Sequence, residues 1–332
     1  MILAIESSCD DSSVCVMELN TLKILYKAKE SQEAQHSIYG GVVPELASRL
    51  HAVSLPKIIE NAKEFFPYLK AVAVTNEPGL TLSLAQGVIA AKALAIGLKI
   101  PLIPVHHIVG HIFSVFIEKK CFYPLSALVA SGGHTSILTM NSYEKITEEA
   151  STMDDSIGES FDKAAKMLDL GYPGGTHIEK LAKKGDENAY KITIPLRGKK
   201  TPNFSYSGLK NAIRLLSKDK ILSQKEKEDI AASFQRAAVI HLLDRCEMFF
   251  KKNCPKNFAL VGGVSANLYL REKLQELCDN YAVNFLVPPL KYTSDNAVMI
   301  ARVAVEAFGL GHFMHNLEIE INSRKPFGRN HE

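Results

Sequence analysis

The chain has 332 residues, of which 46% are hydrophobic and 23% are charged, and its formal net charge is +3. This composition is typical of a folded globular protein and excludes a disordered chain, while the length predicts two domains or two lobes. The net charge permits a nucleic-acid partner without requiring one.

The six cysteines contain no CxxC pair, so their spacing resembles neither a zinc cluster nor a disulfide framework. The N-terminus has no basic stretch and reaches an acidic residue after a short apolar run, which is unlike a secretory signal. No apolar run is expected to reach the ~18–20 residues of a membrane span. We therefore expect a cytoplasmic protein with reduced thiols and no membrane contact.

The first predicted element is a strand over residues 2–5, which leads into the polar loop 6–13 and a second strand over 14–17. The same strand–loop–strand pattern returns in the stretch 125–140. A third apolar strand, within 258–274, ends at a Gly-Gly turn and is followed by a helix. The repeated pattern indicates a duplicated lobe.

Helices are predicted between these strands from apolar residues at three- and four-residue spacing. The predicted helices cover residues 44–66, 83–98, 160–168, 175–184, 226–251 and 294–308. Strands that alternate with helices favour an α/β fold. The stretch 186–225 is the least regular and is predicted to be an insertion or a surface loop.

The stretch VHHIVGH places two histidines, His107 and His111, four residues apart. If residues 104–118 form a helix, these two imidazoles lie on one face and can converge on one cation. A lone pair of helical histidines is more often structural or exposed. Zinc-protease chemistry of the HExxH type is disfavoured, because Ile108 stands where the general-base glutamate would be.

A third metal ligand has to come from elsewhere in the chain, and Asp295, at the start of the last predicted helix, is the best candidate. The simpler alternative is that Ser294 or Asp295 caps that helix.

Glycine turns follow strands at 131–133 and 262–263, where backbone N–H groups can point at a phosphate. Neither turn has the P-loop or GxGxxG spacing. The acidic loop 6–11 complements them, because carboxylates at a phosphate site act through a cation or as proton acceptors. Asp162 could accept ribose hydroxyls ahead of the turn 172–175, although a salt-bridged helix followed by a capped turn is the simpler interpretation.

Taken together, nine stretches resemble the TsaD family, the universal tRNA N6-adenosine threonylcarbamoyltransferases once labelled glycoproteases. In chain order they are IESSCDDSS, SQEAQHSIYGGVVPELASRLH, HHIVGH, VASGGHTSIL, DDSIGESFDKAAKMLDLGYPGG, NFSYSGLKNA, AASFQRA, LVGGVSANLYLREKL and YTSDNAVMIA. They extend from residue 5 to residue 301, which is nearly the whole chain.

The resemblance implies an α/β fold of the actin, Hsp70 and sugar-kinase type with two RNase H-like lobes. The N-terminal lobe would cover residues 1–117, with a C-terminal helix of about 296–332 packed back on it. The C-terminal lobe would cover 118–295, with the insertion near 186–225. The implied reaction transfers threonylcarbamoyl from L-threonylcarbamoyl-AMP to N6 of adenosine 37 in tRNAs that read codons beginning with A.

The resemblance also assigns roles to residues. His107, His111 and Asp295 would bind one divalent metal ion, with Fe²⁺ or Zn²⁺ expected, and Asp10 or Asp11 is the candidate for accepting the amine proton or orienting the substrate. Residues that would hold the adenylate, or a bound ATP or ADP, are Val129, Ala130, Ser131, Gly132, Gly133, Asp162, Gly175 and Asn267.

This chain departs from the family pattern at two places. Val109 replaces the glutamate of the His-x-Glu-Gly-His motif, so that glutamate cannot be essential here. Asn76 and Glu77 replace an Ala-Gly pair, which puts the local loop geometry or a partner contact in doubt.

The expected partners are tRNA, a TsaB-like non-catalytic paralogue, a TsaE-like small ATPase and a second copy of the chain. Helix 83–98 could pair with a partner or lie in the core. Basic residues that could meet tRNA phosphates, or simply form a solvated face, are Lys199, Lys200, Lys210, Arg214, Arg324, Lys325 and Arg329. The competing functions are an ATP-dependent small-molecule kinase of the same fold group, a metallopeptidase and a non-catalytic binding module.

Overall fold

The computed structural model describes residues 1–324 and residue 327. The chain divides into two compact units. The first contains Met1–Phe122 and the segment that begins at Pro288, and the second contains Tyr123–Val287. One five-stranded sheet forms the centre of each unit.

Strands and α-helices form the framework of both units. The strands are β1 (Ile2–Glu6), β2 (Asp11–Met17), β3 (Ile24–Ser31), β4 (Ala71–Glu77), β5 (Leu102–His106), β6 (Leu125–Ala130), β7 (Thr135–Met140), β8 (Ile146–Ser151), β9 (Asn257–Val261) and β10 (Asn284–Leu286). The helices are α1 (Glu33–Ser37), α2 (Pro44–Glu60), α3 (Thr81–Leu98), α4 (His107–Phe113), α5 (Ile157–Met167), α6 (Gly174–Ala182), α7 (Ser207–Ser217), α8 (Gln224–Asn253), α9 (Leu268–Asn280) and α10 (Ala297–Gly309).

The two sheets have the same topology. The first has the strand order β3-β2-β1-β4-β5, and the second has the order β10-β9-β6-β7-β8. In each, the first strand pairs antiparallel with the next one along the chain and parallel with the fourth. The repeated strand order confirms the predicted duplication and the α/β class.

The central strands are buried along their whole length and are mostly apolar, as expected where both faces of a sheet are covered. All five residues of β1 and all six of β6 are buried. In the first unit, α10 packs on β1 and β2, while α3 packs on β4 and α2. This arrangement holds the polar loops at the ends of the strands against a rigid core.

Helix α3 is 18 residues long and has a single charged residue, Lys92. It is the one helix in the described part of the chain that is long and apolar enough to cross a membrane by length and composition. The expectation that no apolar run reaches that length is therefore wrong. Leu84, Val88 and Ala91 of this helix are buried in the core of the first unit, and the core helix of a soluble protein passes the same test.

Three predicted element boundaries need correction. The helix predicted over 104–118 begins only at His107, because residues 102–106 form a strand paired in parallel with β4. The C-terminal helix predicted over about 296–332 ends at Gly309, where residues 310–311 form a turn. The stretch 186–225 is not wholly irregular, since it contains α7.

The insertion is also anchored to the core of the second unit. Arg245 of α8 is 3% exposed, and its guanidinium donates hydrogen bonds to the carbonyl oxygens of Lys199, Thr201 and Leu196. A buried cation therefore holds residues 196–201, the part of the segment that precedes α7.

Candidate functional site

The two histidines of the motif lie where β5 ends and α4 begins. The His106 side chain caps the helix by accepting a hydrogen bond from the Ile108 backbone N–H at 3.2 Å. His107 and His111 then fall one turn apart, 7% and 0% exposed, with their ring centroids 4.6 Å apart and their ring planes nearly perpendicular. The helical spacing predicted from the sequence is observed.

Asp295 lies just before α10, but it does not cap that helix. The cap is Asn296, whose Oδ1 accepts a hydrogen bond from the Met299 backbone N–H at 3.0 Å. The Asp295 carboxylate is therefore free to turn toward α4. Its Oδ1 lies 3.4 Å from Nε2 of His107 and 3.2 Å from Nε2 of His111. The capping alternative is thus wrong, and the structure brings the three predicted ligands together with their ligand atoms within 4.8 Å of one another.

The close approach of α4 to α10 depends on Gly110. A Cβ atom at this position would lie 2.8 Å from Cδ1 of Ile300, which is closer than van der Waals contact allows. The neighbouring residue, Val109, is 7% exposed, so a buried apolar side chain stands here where the family has a glutamate. The packing of α4 on α10 therefore accounts for the glycine at 110.

The charges of the Glu6 and Asp295 carboxylates and burial together shift the pKa values of the cluster. Burial lowers the pKa of His107, but the Asp295 and Glu6 carboxylates outweigh burial and raise that pKa well above its ordinary value. Burial opposes ionisation of Asp295 as well, yet His107 holds the pKa of this carboxyl well below its usual range. Burial lowers the pKa of His111. The buried Glu6 carboxylate and the half-buried Asp295 carboxylate beside the imidazoles favour a cation at this site.

The donor atoms fit a divalent transition metal. Nδ1 of His111 has no hydrogen-bond partner within residues 1–324, and the one polar neighbour of Nε2 given above is Asp295 Oδ1, although the ring is fully buried. Buried nitrogens without partners are costly unless a ligand uses them. Two imidazoles and one carboxylate suit Zn²⁺ or Fe²⁺, and Asp295, with a side chain that is 26% exposed, leaves one side open to a substrate.

Lys29 is a member of the site that the sequence did not single out, because it belongs to no motif. From β3 its ammonium forms an ion pair of 2.6 Å with Asp11 Oδ2. It also donates a hydrogen bond of 2.9 Å to the backbone oxygen of Asp295. Lys29 therefore links one candidate proton acceptor to the loop that carries the third predicted metal ligand.

The two candidate proton acceptors differ in their surroundings. Asp11 begins β2, and burial raises the pKa of its carboxyl to about 6, against the opposing charge of Lys29. Its second oxygen, Oδ1, is buried without a hydrogen-bond partner in the described chain. Asp10 lies in the loop before β2, where its backbone oxygen accepts a hydrogen bond from the Gln32 N–H at 3.1 Å.

The glycine loops lie at one edge of the sheet of the second unit. Strands β6 and β9 are parallel neighbours, with Val129 opposite Val261, so the loop after Ala130 and the turn at Gly262 leave the sheet together. Such an edge is where α/β sheets bind ligands. A Cβ at Gly132 or Gly133 would meet no atom within 4 Å, so neither glycine is required by packing.

Asp162 and Asn267 both have structural partners. Asp162 Oδ1 accepts a hydrogen bond of 2.7 Å from the Gly174 N–H, while a Cβ at Gly175 would meet no neighbour. Asn267 caps α9 by accepting a hydrogen bond from the Leu270 N–H at 2.9 Å, and its amide donates to Gln235 Oε1 at 2.8 Å. The Asp162 contact is that of the capped turn in the simpler interpretation, and Asn267 acts as a helix cap, so a role in nucleotide binding stays a prediction for both residues.

Comparison with known sequences gives a consistent result. The family described as TsaD: tRNA N6-adenosine threonylcarbamoyltransferase matches residues 23–302. The tRNA N6-adenosine threonylcarbamoyltransferase of Nautilia profundicola is 57% identical over 332 residues, which cover all of both chains. The protein of the same name from Sulfurovum sp. is 54% identical over 329 residues, 98% of each chain.

Solved structures share the fold at low sequence identity. Full-length HypF, crystallised in a phosphate- and nucleotide-bound form, is 16% identical with a TM-score of 0.62, and the match covers 93% of this chain and 46% of HypF. The activator of the 2-hydroxyisocaproyl-CoA dehydratase from Clostridium difficile, with bound ADPNP, is 13% identical with a TM-score of 0.50, covering 93% and 95% of the two chains. The predicted fold of the actin, Hsp70 and sugar-kinase type is confirmed.

Proposed function

The chain belongs to the TsaD family of tRNA N6-adenosine threonylcarbamoyltransferases, and we propose that its cluster of His107, His111 and Asp295 is the metal centre of that reaction. As a member of this family the protein is an acyltransferase that forms threonylcarbamoyladenosine in tRNA. The donor that we propose is L-threonylcarbamoyl-AMP, and the acceptor is N6 of adenosine 37 in tRNAs that read codons beginning with A. The convergence of the three ligand atoms carries the proposal.

The chemistry explains why such a centre is useful. The N6 amine attacks the carbamoyl carbon, the bond from that carbon to the phosphate oxygen breaks, and AMP leaves with the bonding electrons. Negative charge develops on the carbamoyl oxygen and then on the phosphate. A divalent ion, Fe²⁺ or Zn²⁺ in this proposal, supplies Lewis-acid stabilisation of that charge when bound.

Asp11 is the residue that we propose as acceptor of the proton from the N6 amine. A carboxyl with a pKa of about 6 is mostly ionised at neutral pH and still basic enough to take a proton. Lys29 keeps this carboxylate attached to the Asp295 loop. Asp10 stays the alternative.

For the adenylate we propose the glycine loop and its neighbours in the second unit. The backbone N–H groups of Gly132 and Gly133, in the loop that begins with Val129, Ala130 and Ser131, would contact phosphate oxygens. Asp162, with the Gly175 turn, and Asn267 would contact the nucleoside. A Cβ atom at Gly132, Gly133 or Gly175 would meet no atom within 4 Å. This open space supports the proposal, because a ligand can approach the backbone there. The same loops would take ATP or ADP.

The tRNA contacts that we propose lie on the insertion and on α7. Lys199, Lys200 and Arg214 are exposed, and Arg245 holds the backbone of the insertion in place. Lys210 is less free, since it also lies 3.4 Å from Asp155. Basic side chains on a fixed backbone can meet phosphates at low entropic cost. Arg324 is exposed, while Lys325 and Arg329 lie outside the described residues.

We further propose that α3 binds the TsaB-like paralogue. Leu82, Ile89 and Ile96 recur at seven-residue spacing along α3 and are 46%, 61% and 62% exposed, respectively. This apolar row is what a helix of a partner would cover. A second copy of the chain is the other occupant that a binding test can identify. We also propose that a TsaE-like small ATPase is a partner of the protein and that the protein is cytoplasmic.

The direct test is product formation. Purified protein is incubated with threonylcarbamoyl-AMP, unmodified tRNA and the two presumed partners, and tRNA nucleosides are analysed by mass spectrometry. We expect threonylcarbamoyladenosine with the wild-type chain and none with His111→Ala. No product from the wild-type chain, with partners that support a related enzyme, would refute the proposal. Phosphorylation of a small molecule or cleavage of a peptide would instead support the kinase or the peptidase.

A further inference from the structure

Glu6 is a buried carboxylate that touches the metal cluster without belonging to it. It is the last residue of β1, and its side chain is 1% exposed. Oε2 lies 3.2 Å from Nδ1 of His107 and accepts a hydrogen bond from the Thr75 hydroxyl, while Oε1 accepts one from the Ser8 N–H at 2.6 Å. A buried carboxylate is tolerated only when such donors surround it.

The ring of His107 is therefore held from the side away from Asp295. Its Nδ1 faces the Glu6 carboxylate and also lies 3.1 Å from the Ser8 hydroxyl oxygen. A carboxylate can only accept a hydrogen bond, so Nδ1 carries the hydrogen and donates it. Nε2, which lies 3.4 Å from Asp295 Oδ1, is then the nitrogen that can bind a cation once it has lost its own proton.

His111 has no equivalent support. Its Nδ1 is buried without a hydrogen-bond partner in the described chain, and its Nε2 faces Asp295 Oδ1 at 3.2 Å, so no carboxylate holds this ring from behind. The orientation of His107 is thus the better determined of the two. The carboxylate that holds His107 is that of Glu6 on β1, and Thr75 of β4 donates a hydrogen bond to it. The parallel pairing of β1 with β4 therefore fixes the position of Glu6 beside the cluster.

We propose that Glu6 is a positioning residue for the metal centre, which holds His107 in the tautomer and orientation that a divalent cation requires. This inference rests on the proposed function of the cluster. A carboxylate behind a metal-binding imidazole raises its basicity and fixes its ring, and losing it typically weakens metal binding about 10–100-fold.

The competing explanation is that Glu6 only stabilises the turn into the loop 6–13 through its hydrogen bond with Ser8. The two explanations differ in their effect on metal affinity. A carboxylate that only stabilises the turn would change the melting temperature and leave the metal dissociation constant of the folded protein unaltered.

The test is a competition between a chromophoric chelator and the metal-depleted, full-length protein for Zn²⁺, repeated with Co²⁺ so that the visible spectrum reports the ligand geometry. The variants are Glu6→Ala, the near-isosteric Glu6→Gln, and Thr75→Val, which removes a donor to Glu6 without touching His107. The matched control is Asp154→Asn, since Asp154 also accepts backbone N–H bonds, from Tyr206 and Ser207, but belongs to the second unit.

We expect Glu6→Ala and Glu6→Gln to weaken binding of both ions at least about tenfold and to shift the Co²⁺ spectrum. Thr75→Val should have a smaller effect in the same direction, and Asp154→Asn should bind like the wild-type protein. Should Glu6→Ala fail to fold, Glu6→Gln and Thr75→Val decide the question.

Two results would overturn the inference, and they are distinguishable. If the wild-type protein binds one ion, His107→Ala does not, and the Glu6 variants bind as tightly as wild type, then the metal proposal stands and the role of Glu6 is refuted. If the wild-type protein binds no ion, or His107→Ala keeps it, then the metal centre itself is refuted and the inference falls with it.

Discussion

Asp11 allows the proposed proton transfer to be tested through pH. Burial raises the pKa of its carboxyl to about 6, so the ionised form that accepts a proton increases as pH rises through 6. The single-turnover rate of transfer should therefore rise between about pH 5 and pH 7 and then level off. The rate of the Asp11→Asn variant should not rise over this pH range, and it should be about 100-fold or more below the wild-type rate.

Asp10→Asn, measured beside it, decides between the two acids. If the rise of the transfer rate with pH disappears only in the Asp10 variant, the proton acceptor is Asp10. If both variants keep the wild-type rate and pH profile, neither carboxylate accepts the proton.

His241 allows a test of stability in the second unit. Burial and then the charge of Arg245 lower the pKa of this histidine to about 4, and its Nε2 accepts a hydrogen bond from the Ser205 N–H. The folded state favours the neutral form of His241. The contribution of this histidine to the free energy of unfolding is therefore fully present above pH 6.5 and is lost as pH falls toward 4. The loss should reach about 3 kcal/mol at pH 4.

Denaturant unfolding of wild type and His241→Gln between pH 7 and pH 4 measures this contribution. We expect the free energy of unfolding to fall less steeply in the variant, which carries no titratable group at this position. Parallel curves for the two proteins would show that His241 does not contribute.

Single residues of the site were predictable to different degrees. His107, His111 and Asp295 could be named because a motif and a family resemblance identify them. The sequence could not show that Asn296 caps α10 and leaves Asp295 free, since Ser, Asp and Asn are all good caps. The role of Lys29 was not predictable, because its contacts join residues distant in the sequence.

Secondary-structure elements show where periodicity is informative and where it is not. Most helices were found from their apolar spacing, but the start of α4 was misplaced because Leu102–His106 reads equally well as helix or strand until its partner β4 is known. Helix α7 was missed because it lies in a polar stretch, where only Leu209 and Ile213 are buried. Tertiary contacts supply this information, and local sequence does not.

Helix α3 has two apolar faces with different expected roles. Leu84 is fully buried, and Leu84→Ala should lower the free energy of unfolding by about 2–5 kcal/mol. Ile89 is 61% exposed, and Ile89→Lys should change stability by no more than about 0.5 kcal/mol while abolishing binding of the paralogue. Denaturant unfolding and size-exclusion chromatography with the purified paralogue measure the two effects.

Binding to the paralogue that is unaffected by Ile89→Lys would place the partner elsewhere on the chain. If the protein without its partner elutes with a smaller mass when it carries Ile89→Lys than as wild type, the exposed row on α3 is covered by a second copy of the chain.

The whole chain repeats one strand order in two sheets, and this duplication was predictable from the recurring strand–loop–strand pattern. The lobe boundaries proposed at residues 117 and 295 stay predictions. What the sequence could not supply is the set of long-range contacts that organise the cluster. Glu6, Thr75 and His107 come from β1, β4 and α4, and only the folded sheet brings them together.

The central claim is that a divalent ion at the cluster of His107, His111 and Asp295 enables threonylcarbamoyl transfer. The most direct measurement is the transfer rate from threonylcarbamoyl-AMP to tRNA after transition metals are removed by a chelator, with Mg²⁺ kept in excess for the partner ATPase. We predict that depletion lowers the wild-type rate about 100-fold or more, that Zn²⁺ or Fe²⁺ restores it, and that neither ion restores His111→Ala. A metal-depleted wild-type protein that keeps its full rate, or a His111→Ala variant as active as wild type, would contradict the claim.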